Sequence, residues 1–487
     1  MAGITPTNDV IAALSTPPGR SGVAVLRISG SEAGDVADRV FRFGPLPRSG
    51  EPELAPQTRS VSEMNGYTAA FGYVFDPERH RIIDEAVITR FKAPLSYTSE
   101  DVVEFSVHGS MVGTRALLKA LYNAGARPAE AGEFTQRAFM NGKMDLTQAE
   151  AVMDLIDSEA QAAAEAALRQ LGGAIGDRIQ KIQQQGIELL SEIELSIQYP
   201  EHEDSNITRP EIMDRLQTMH ADIGRLLDTR EQGKILQEGL RAVLVGRPNA
   251  GKSSLLNSLS GEERAIVTDI PGTTRDLLEV KLQVHGLPVI LQDTAGLRTT
   301  DDVIEQISIK RTEEALKQAD LAVVMVDPGD LPSEEESREW LGHLAGSKYL
   351  IVASKSDLWA AEDWPEAFID WAEAFSSESE GDACLAVSRI STLAPGGADA
   401  IWDLLKAYYE ALAPDSGESV IVTSERQAAA MRSARETLAM VMNDALIPED
   451  MIAGTLQAAL EDVAAVTGTR ITETMLDDLF SRFCVGK

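Results

Sequence analysis

The feature that most constrains the fold of this chain is a glycine-rich segment, Gly246-Arg-Pro-Asn-Ala-Gly-Lys-Ser-Ser254, which fits the pattern G-x-x-x-x-G-K-[ST]. It directly follows an apolar run from Ala242 to Val245 and precedes a helix that opens with Leu255. In this context backbone N–H groups at the helix N-terminus close around phosphate oxygens. Lys252 adds positive charge, and the hydroxyl of Ser253 is placed to bind Mg²⁺. The segment therefore predicts a doubly wound α/β domain that binds a nucleoside triphosphate.

A second motif, Asp293-Thr-Ala-Gly296, ends another apolar run. In a GTPase this position lets Asp293 hold the Mg²⁺ shell and sets the glycine amide near the γ-phosphate. Thr273 and Thr274 precede the motif, in a segment where a hydroxyl can provide a second Mg²⁺ ligand. We therefore expect Mg²⁺ on Ser253 and Thr274.

The third motif is Ser354-Lys-Ser-Asp357. The carboxylate of Asp357 can accept hydrogen bonds from the guanine N1 and N2 donors, which adenine does not offer as a pair, so the motif favours GTP over ATP. It departs from the usual N-K-x-D, because Ser354 replaces an asparagine that normally braces the base pocket. The next base-contact loop is Ser391-Thr-Leu393 in the preferred alignment, with Ser388-Arg389 as the alternative.

The predicted GTP contacts come from these motifs and from the segment before the second one. They are Asn249, Ala250, Gly251, Lys252, Ser253, Ser254, Thr268, Asp269, Ile270, Pro271, Gly272, Thr273, Thr274, Asp293, Thr294, Ala295, Gly296, Ser354, Lys355, Ser356, Asp357, Ser391, Thr392 and Leu393.

The domain organisation follows from length and from changes in hydrophobic period. A chain of 487 residues is too long for one hydrophobic core. Short β-branched runs between turns predict an α+β unit at the N-terminus, and apolar residues at helical spacing predict long helices afterwards, one of them from about Glu211 to Glu238. The predicted segments are an N-terminal domain over 1–126, a helical domain over 127–238 and 413–487, and an α/β GTPase domain inserted at 239–412.

Charge and composition exclude several classes of protein. With 44 Lys and Arg against 77 Asp and Glu, the formal net charge is −33, so a global electrostatic grip on nucleic acid or on an anionic membrane is unfavourable. No apolar run reaches the roughly 18 residues of a membrane helix, and the start does not fit a signal peptide. Two cysteines, Cys384 and Cys484, cannot supply a disulfide framework. These features predict a cytoplasmic protein.

Motifs outside the nucleotide site narrow the choice among GTPases. With the loop from Thr268 to Asp276 and the segment Asp293-Thr-Ala-Gly-Leu-Arg298 also in view, the chain resembles the MnmE (TrmE) family of tRNA-modification GTPases over nearly its whole length. The flanking motifs are Ala13-x-Ser-Thr-Pro-Pro-Gly-Arg-Ser-Gly22, Leu26-Arg-Ile-Ser-Gly30, Tyr97-Thr-Ser-Glu-Asp-Val-Val-Glu104, Gly132-Glu-Phe-Thr-Gln-Arg-Ala-Phe-Met-Asn-Gly-Lys143 and the terminal Phe483-Cys-Val-Gly-Lys487.

The resemblance implies a Ras-like (TRAFAC) G domain and an N-terminal domain that forms a homodimer and binds 5-formyl- or 5,10-methylene-tetrahydrofolate. It implies a heterotetramer or larger complex with an FAD-containing MnmG-like partner, the FAD lying on that partner, and tRNA bound mainly through the complex. The product is an aminomethyl or carboxymethylaminomethyl group on C5 of the wobble uridine. By position, the folate contacts are Arg27, Glu104, Lys143 and Lys487, whose charges suit a pterin edge and a glutamate tail.

Hydrolysis needs a group that the second motif does not supply. Leu297 stands where Ras-type enzymes carry the glutamine that orients the attacking water. The resemblance points to Glu305 for this role and to a dehydrated K⁺ for charge compensation, near the position of an arginine finger. The implied K⁺ ligands are the side chain of Asn249, the main chain of Thr268 and Ile270, and Thr273.

Two departures from the family pattern concern the folate region and the terminus. The family's Gly-His-Gly-Gly appears as Val107-His-Gly-Ser110, a change that can alter a turn near the pterin. The family's Cys-Ile-Gly-Lys appears as Cys484-Val-Gly-Lys487. Cys484 is either a catalytic nucleophile that carries the one-carbon unit or, as is commoner for such a cysteine beside Phe480 and Phe483, a small buried hydrophobe.

Two other classes of GTPase are weighed against this interpretation. A regulatory GTPase of ribosome assembly usually adds a basic RNA-binding module, and this chain has no such patch and no GXXG loop flanked by basic residues. A membrane-acting GTPase needs a basic amphipathic face, and the long helices here are rich in acidic residues. The first of these is the alternative that we retain.

Overall fold

The structure is a computed structural model of the chain. It describes residues 9–47, 59–199, 207–260, 279–293, 315–359, 364–379, 383–394, 396–397, 399–412, 420–443, 446–469 and 472–486. The chain divides into two compact units, one formed by Met1–Met153 with Leu460–Lys487 and the other by Asp154–Ala459.

The first unit contains a seven-stranded sheet. Its strands are β1 (Val10–Leu14), β2 (Ser21–Ser29), β3 (Phe41–Phe43), β4 (Thr68–Asp76), β5 (Arg81–Phe91), β6 (Val102–Gly109) and β7 (Ala126–Pro128). Their spatial order is β3-β4-β5-β6-β2-β1-β7, and all neighbours are antiparallel except β1 and β7. Side chains alternate between the two faces of each strand, and those of Leu26, Ile28 and Phe105 lie in a core. Helices α1 (Ala33–Val40) and α2 (Met111–Asn123) cover this core.

The C-terminal segment of the chain completes this first unit. Helix α15 (Glu473–Ser481) packs on α3 (Glu133–Met140) and α4 (Leu146–Asp157), with Phe480 and Phe483 against Leu146 and Ala149. After the helix, Val485 forms an isolated antiparallel bridge with Ala131. The last helix therefore packs against helices from the first part of the chain, as its apolar face predicts.

Long helices form the frame of the second unit. They are α5 (Gln161–Leu171), α6 (Ala174–Gln198), α7 (Arg209–Leu227), α8 (Arg230–Glu238), α13 (Glu425–Met442) and most of α14 (Glu449–Thr467). The single helix predicted from Glu211 to Glu238 is wrong, since the structure has two. The break lies at Thr229, whose hydroxyl donates to Leu226 O at 2.7 Å and accepts from Val422 N at 3.0 Å. The bond to Val422 is tertiary and competes with helix continuation at Thr229.

The second unit also contains a doubly wound sheet. Its strands are β8 (Leu240–Val245), β9 (Glu279–Val284), β10 (Leu287–Asp293), β11 (Leu321–Val326), β12 (Tyr349–Ala353) and β13 (Cys384–Arg389). The order is β13-β12-β11-β8-β10-β9, with all neighbours parallel except β9 and β10. Separate apolar cores cover the two faces. Named helices around it are α9 (Lys252–Ser260), α10 (Glu334–Leu344), α11 (Glu366–Ser377) and α12 (Asp399–Ala411).

The two ends of the α/β part lie beside each other. Gln232 in α8, before the first strand, donates from Nε2 to Tyr409 O in α12 at 3.1 Å. Arg230 donates from Nε to Glu425 Oε2 at 3.2 Å, which ties the entry helix to the exit helix. The predicted fold class, an α+β N-terminal part, long helices and an inserted α/β part, is confirmed.

Among the residues that the structure describes, no helix combines the length and the apolar composition that a bilayer crossing requires.

Candidate functional site

The predicted phosphate loop joins the carboxyl end of β8 to α9. It approaches β11 so closely that a Cβ on Gly246 would lie 2.3 Å from Met325 O, so only glycine fits there. Gly251 adopts a φ of +98°, a left-handed conformation that glycine takes at little cost. The loop and helix N-terminus therefore have the backbone arrangement on which phosphate binding relies.

Lys252 and Ser253, the first residues of α9, face two different partners. Lys252 is only 4% exposed and donates from Nζ to Gly246 O at 2.6 Å and to Arg247 O at 2.8 Å, so the ammonium lies inside the loop. Ser253 donates from Oγ to Asp293 Oδ2 at 3.2 Å, which joins the start of α9 to the end of β10. The hydroxyl predicted to bind Mg²⁺ and the carboxylate predicted to hold its shell are thus neighbours.

The guanine motif lies at the end of β12. Asp357 accepts a hydrogen bond at Oδ1 from Ser391 Oγ, 2.5 Å away, and Leu393 N donates to the same hydroxyl oxygen at 3.3 Å. The preferred alignment, Ser391-Thr-Leu393, therefore lies directly beside the aspartate that is predicted to read the base. The alternative residues, Ser388 and Arg389, belong to strand β13.

A cavity of about 410 Å³ brings residues of three predicted motifs together. This volume is in the range of small-molecule sites. Its lining is Asn249, Gly251, Lys252, Ser253, Ser254, Lys355, Asp357, Leu358, Thr392 and Leu393. Several predicted site residues lie outside the described part of the chain, namely Thr268, Asp269, Ile270, Pro271, Gly272, Thr273, Thr274, Thr294, Ala295, Gly296 and Glu305.

Ion pairs beside the loop were not anticipated from the sequence. Arg247, a variable position of the motif, donates from Nη1 to Asp330 Oδ1 at 2.6 Å and from Nε to Glu336 Oε1 at 3.1 Å. The hydrogen bond from Arg247, with help from Ser333 N, lowers the pKa of Glu336 to about 2. No spacing rule connects residues that are 83 and 89 positions apart, so only the fold reveals this contact.

In the first unit, two of the predicted folate contacts form an ion pair. Arg27 on β2 and Glu104 on β6 are direct cross-strand partners, and Arg27 donates from Nε to Glu104 Oε1 at 2.9 Å. The guanidinium also lies over the ring of Tyr97, 5.1 Å from its centroid, and 5.7 Å from that of Phe134. The antiparallel register of β2 and β6 therefore places a carboxylate and a guanidinium side by side, with two aromatic rings next to the guanidinium.

Lys143 belongs to the same neighbourhood. It donates from Nζ to Ser96 O at 2.8 Å, next to Tyr97. Tyr97 donates to or accepts from Thr135 Oγ1 at 2.9 Å, and burial raises the pKa of its hydroxyl. The fourth predicted residue, Lys487, lies outside the described residues, although the preceding Gly486 accepts from Ser15 Oγ at 3.2 Å.

The departures at Val107 and Ser110 have structural roles. Val107 is buried in the sheet opposite Ala24 and Ala86. Ser110 is the N-cap of α2, and its side chain accepts from Gly113 N at 3.3 Å. A buried strand side chain and a helix cap account for both residues without a distorted turn.

The interpretation of Cys484 as a buried hydrophobe is wrong. Phe480 and Phe483 are buried, but α15 ends at Ser481, and Cys484 is exposed. The helical spacing that placed Cys484 with the two phenylalanines does not extend past the end of the helix. Its thiol is therefore accessible, which is a condition for any reaction at sulfur.

Two family models and several curated relatives match the chain. The family model described as GTP-binding protein TrmE N-terminus matches residues 10–143, and the one described as MnmE helical domain matches residues 146–484. The chain is 37% identical to the tRNA modification GTPase MnmE of Clostridioides difficile, covering 99% of both proteins. It is 36% identical to the protein of the same name in Geobacillus kaustophilus, covering 98% of this chain and 99% of that one.

Solved structures show weaker similarity. An Era variant of Aquifex aeolicus bound to GDP and aluminium fluoride has a TM-score of 0.27 and 22% identity, covering 40% of this chain and 65% of that one.

Proposed function

The chain belongs to the MnmE family of tRNA modification GTPases, and from this premise we propose that it modifies C5 of the wobble uridine of certain tRNAs with an FAD-containing MnmG-like partner. The group added is an aminomethyl or carboxymethylaminomethyl group. The observation that carries the proposal is that one unit contains the cavity lined by GTP motifs and the other contains the Arg27–Glu104 ion pair.

A reduced folate supplies the one-carbon unit. A pterin presents a guanidine-like edge that a carboxylate such as Glu104 can bind with two parallel hydrogen bonds, while Arg27 or Lys143 attracts the glutamate tail. Arg27 and Glu104 lie within hydrogen-bond distance of each other, so one ligand can contact both. The ring of Tyr97 beside the pair offers a surface on which a flat heterocycle can stack.

We expect folate binding to depend on this pair. Arg27→Ala and Glu104→Ala should each weaken binding of 5-formyltetrahydrofolate by at least about tenfold, the loss typical of one charge-assisted hydrogen bond. Isothermal calorimetry on the full chain is the measurement. Arg79→Ala and Glu78→Ala, exposed residues in the turn after β4, are matched controls and should bind as the parent does. Absence of folate binding by the parent protein would contradict the one-carbon assignment.

A second copy of the chain covers an exposed apolar face of the N-terminal sheet. Phe71 and Val87 are cross-strand neighbours, 50% and 41% exposed, on strands whose alternate residues enter the core. Exposed apolar side chains paired on one face of a sheet are typical of an interface, and a homodimer through this domain accounts for them.

Mg²⁺ and K⁺ support the hydrolysis of GTP. The Ser253 hydroxyl beside Asp293 suits Mg²⁺, which prefers oxygen ligands. Asn249 lines the same cavity with a φ of +66°, so its backbone is held in an uncommon conformation at the site predicted for K⁺. An amide oxygen there provides a neutral ligand of the type that a large monovalent ion prefers.

K⁺ should therefore stimulate hydrolysis more than Na⁺. We expect GTP turnover to rise by about tenfold or more in KCl over NaCl at equal ionic strength, because the ion places positive charge where charge develops on the γ-phosphate. Asn249→Ala should abolish the difference between the two salts. The matched control is Asn257→Ala in α9, which should retain it. Equal rates in both salts would remove K⁺ from the mechanism.

tRNA is bound mainly through the complex with the flavoprotein. The net charge of −33 disfavours nonspecific tRNA binding by this chain alone, so we expect the partner to provide much of the positive surface.

The decisive test of the function is a strain that lacks this protein. We expect the wobble uridines of its target tRNAs to lose the C5 group completely, as measured by mass spectrometry of tRNA nucleosides, and to regain it with a plasmid copy of the parent. A deletion strain with normal C5 modification would refute the assignment. Loss of ribosomal subunits with intact uridines would favour the ribosome-assembly alternative.

A further inference from the structure

The loop after β11, residues Asp327 to Leu331, lies outside all the predicted GTP motifs. We call it the β11 loop. It makes polar contacts with two of those motifs, the phosphate loop through Arg247 and the guanine motif through Lys355. A segment fixed at both ends to nucleotide-contacting residues is placed to control their positions.

Asp327 is the residue that holds the guanine motif. Its Oδ2 accepts from Lys355 Nζ at 2.6 Å, and its Oδ1 accepts from Gly329 N at 2.9 Å, so both oxygens are engaged. The Asp327 side chain is 18% exposed, against 39% for Lys355. Burial raises the pKa of this carboxyl, but the bonds from Lys355 and Gly329 outweigh it and leave the pKa below its usual value. The carboxylate is therefore charged at neutral pH.

The opposite end of the β11 loop is held by the phosphate loop. Arg247 donates from Nη1 to Leu331 O at 2.9 Å, in addition to its pair with Asp330. Because the carboxylate of Asp327 is bonded within the loop and the far end is bonded to Arg247, the acceptor for Lys355 has little freedom to move.

The ion pair between Asp327 and Lys355 matters more here than in a protein with the usual N-K-x-D motif, because Ser354 replaces the asparagine. Ser354 is 2% exposed, and both its N and its Oγ reach Val326 O, at 2.8 and 3.3 Å. The short side chain thus bonds to the backbone of β11. Lys355 follows with a φ of +56°, an uncommon conformation for a residue with a side chain, and lines the nucleotide cavity.

We propose that Asp327 is a positioning residue for guanine nucleotides, which acts by holding Lys355 against the cavity where Ser354 cannot brace the base pocket. Asp327 makes no contact with the nucleotide in this assignment. Its effect passes through the ammonium of Lys355, whose position it fixes before the nucleotide arrives.

The test begins with Asp327→Asn, which keeps the shape of the side chain and the acceptor for Gly329 N but removes the charge. Affinity for GDP and for GTP should each fall by about tenfold, the size expected for one charge-assisted hydrogen bond. Fluorescence titration of the full chain with labelled GDP and GTP is the measurement. Asp370→Asn, the same change at an exposed site in α11, is the control and should bind as the parent does. Unchanged affinity in Asp327→Asn overturns the proposal.

A double-mutant cycle separates positioning from a general effect on the fold. In a Lys355→Met background, Asp327→Asn should change affinity by less than about twofold, because the group through which it acts is already gone. A further tenfold loss in that background would show that Asp327 supports the loop alone, and this outcome also overturns the proposal. Asp327→Glu retains the charge and should lose only about threefold in the parent background, which keeps the test open if the Asn variant fails to fold.

Discussion

Asp357→Asn should convert the protein from a guanosine-nucleotide binder to a xanthosine-nucleotide binder. Xanthine carries an acceptor at C2 where guanine carries a donor, so the amide nitrogen of asparagine matches the new base and fails with the old one. The structure strengthens the expected change in base preference, because Ser391 Oγ lies 2.5 Å from Asp357 Oδ1. A hydroxyl donating there holds the carbonyl oxygen of the new amide and directs its NH₂ towards the base.

We expect the ratio of GTP to XTP affinity to change by about a thousandfold. GTP loses its hydrogen bonds to a charged acceptor, and XTP gains a matched donor for its oxygen at C2. Titrations of parent and variant with GTP, XTP and ATP measure it. Ser391→Ala in the variant background should reduce the preference for XTP, because the amide loses its orientation. A variant that still prefers GTP would show that Asp357 does not read the base.

Glu305→Ala should separate GTP binding from turnover. If Glu305 orients the attacking water, its removal leaves the nucleotide contacts intact while hydrolysis slows by at least about a hundredfold. Under the function that we propose, the nucleotide takes no direct part in the uridine chemistry, and we expect its role to be conformational and to depend on the hydrolysis cycle. Cells that carry only this variant should therefore accumulate tRNA without the C5 group.

The measurements are GTP affinity, single-turnover hydrolysis and mass spectrometry of tRNA nucleosides from the complemented deletion strain. Glu335→Ala, an exposed carboxylate in the first turn of α10, is the matched control and should behave as the parent in all three. Full modification by Glu305→Ala would show that turnover is dispensable, while leaving the role of the protein in tRNA modification standing.

Local motifs are the basis on which the sequence predicts the nucleotide site. Strand, loop and helix are contiguous around Gly246 to Ser254, so spacing alone specifies how their backbone groups meet phosphate. The sequence predicts Ser391-Thr-Leu393 only as the preferred base-contact loop, and the structure adds that Ser391 bonds to Asp357 because both follow the ends of neighbouring parallel strands, β12 and β13.

Contacts between distant segments could not be predicted in the same way. The pair of Arg27 and Glu104 depends on the register of β2 against β6, and a shift of one residue would turn the two side chains to opposite faces. The contact between Asp327 and Lys355 depends on how two loops end beside each other. The helix break at Thr229 depends on a bond to Val422, 193 residues away, which overrides local helical propensity.

The bridge of Val485 to Ala131 and the bond from Ser15 to Gly486 have a consequence for the way the protein is made. Ser15 and Gly486 are separated by 471 positions, so the first strands leave the ribosome long before their last neighbours have been translated. Domains generally fold as units during synthesis, from the N-terminus onward. Here the N-terminal domain gains its contacts with Val485 and Gly486 only after those residues have been translated. A nascent or truncated chain without residues 485 and 486 therefore lacks the contacts to Ala131 and Ser15.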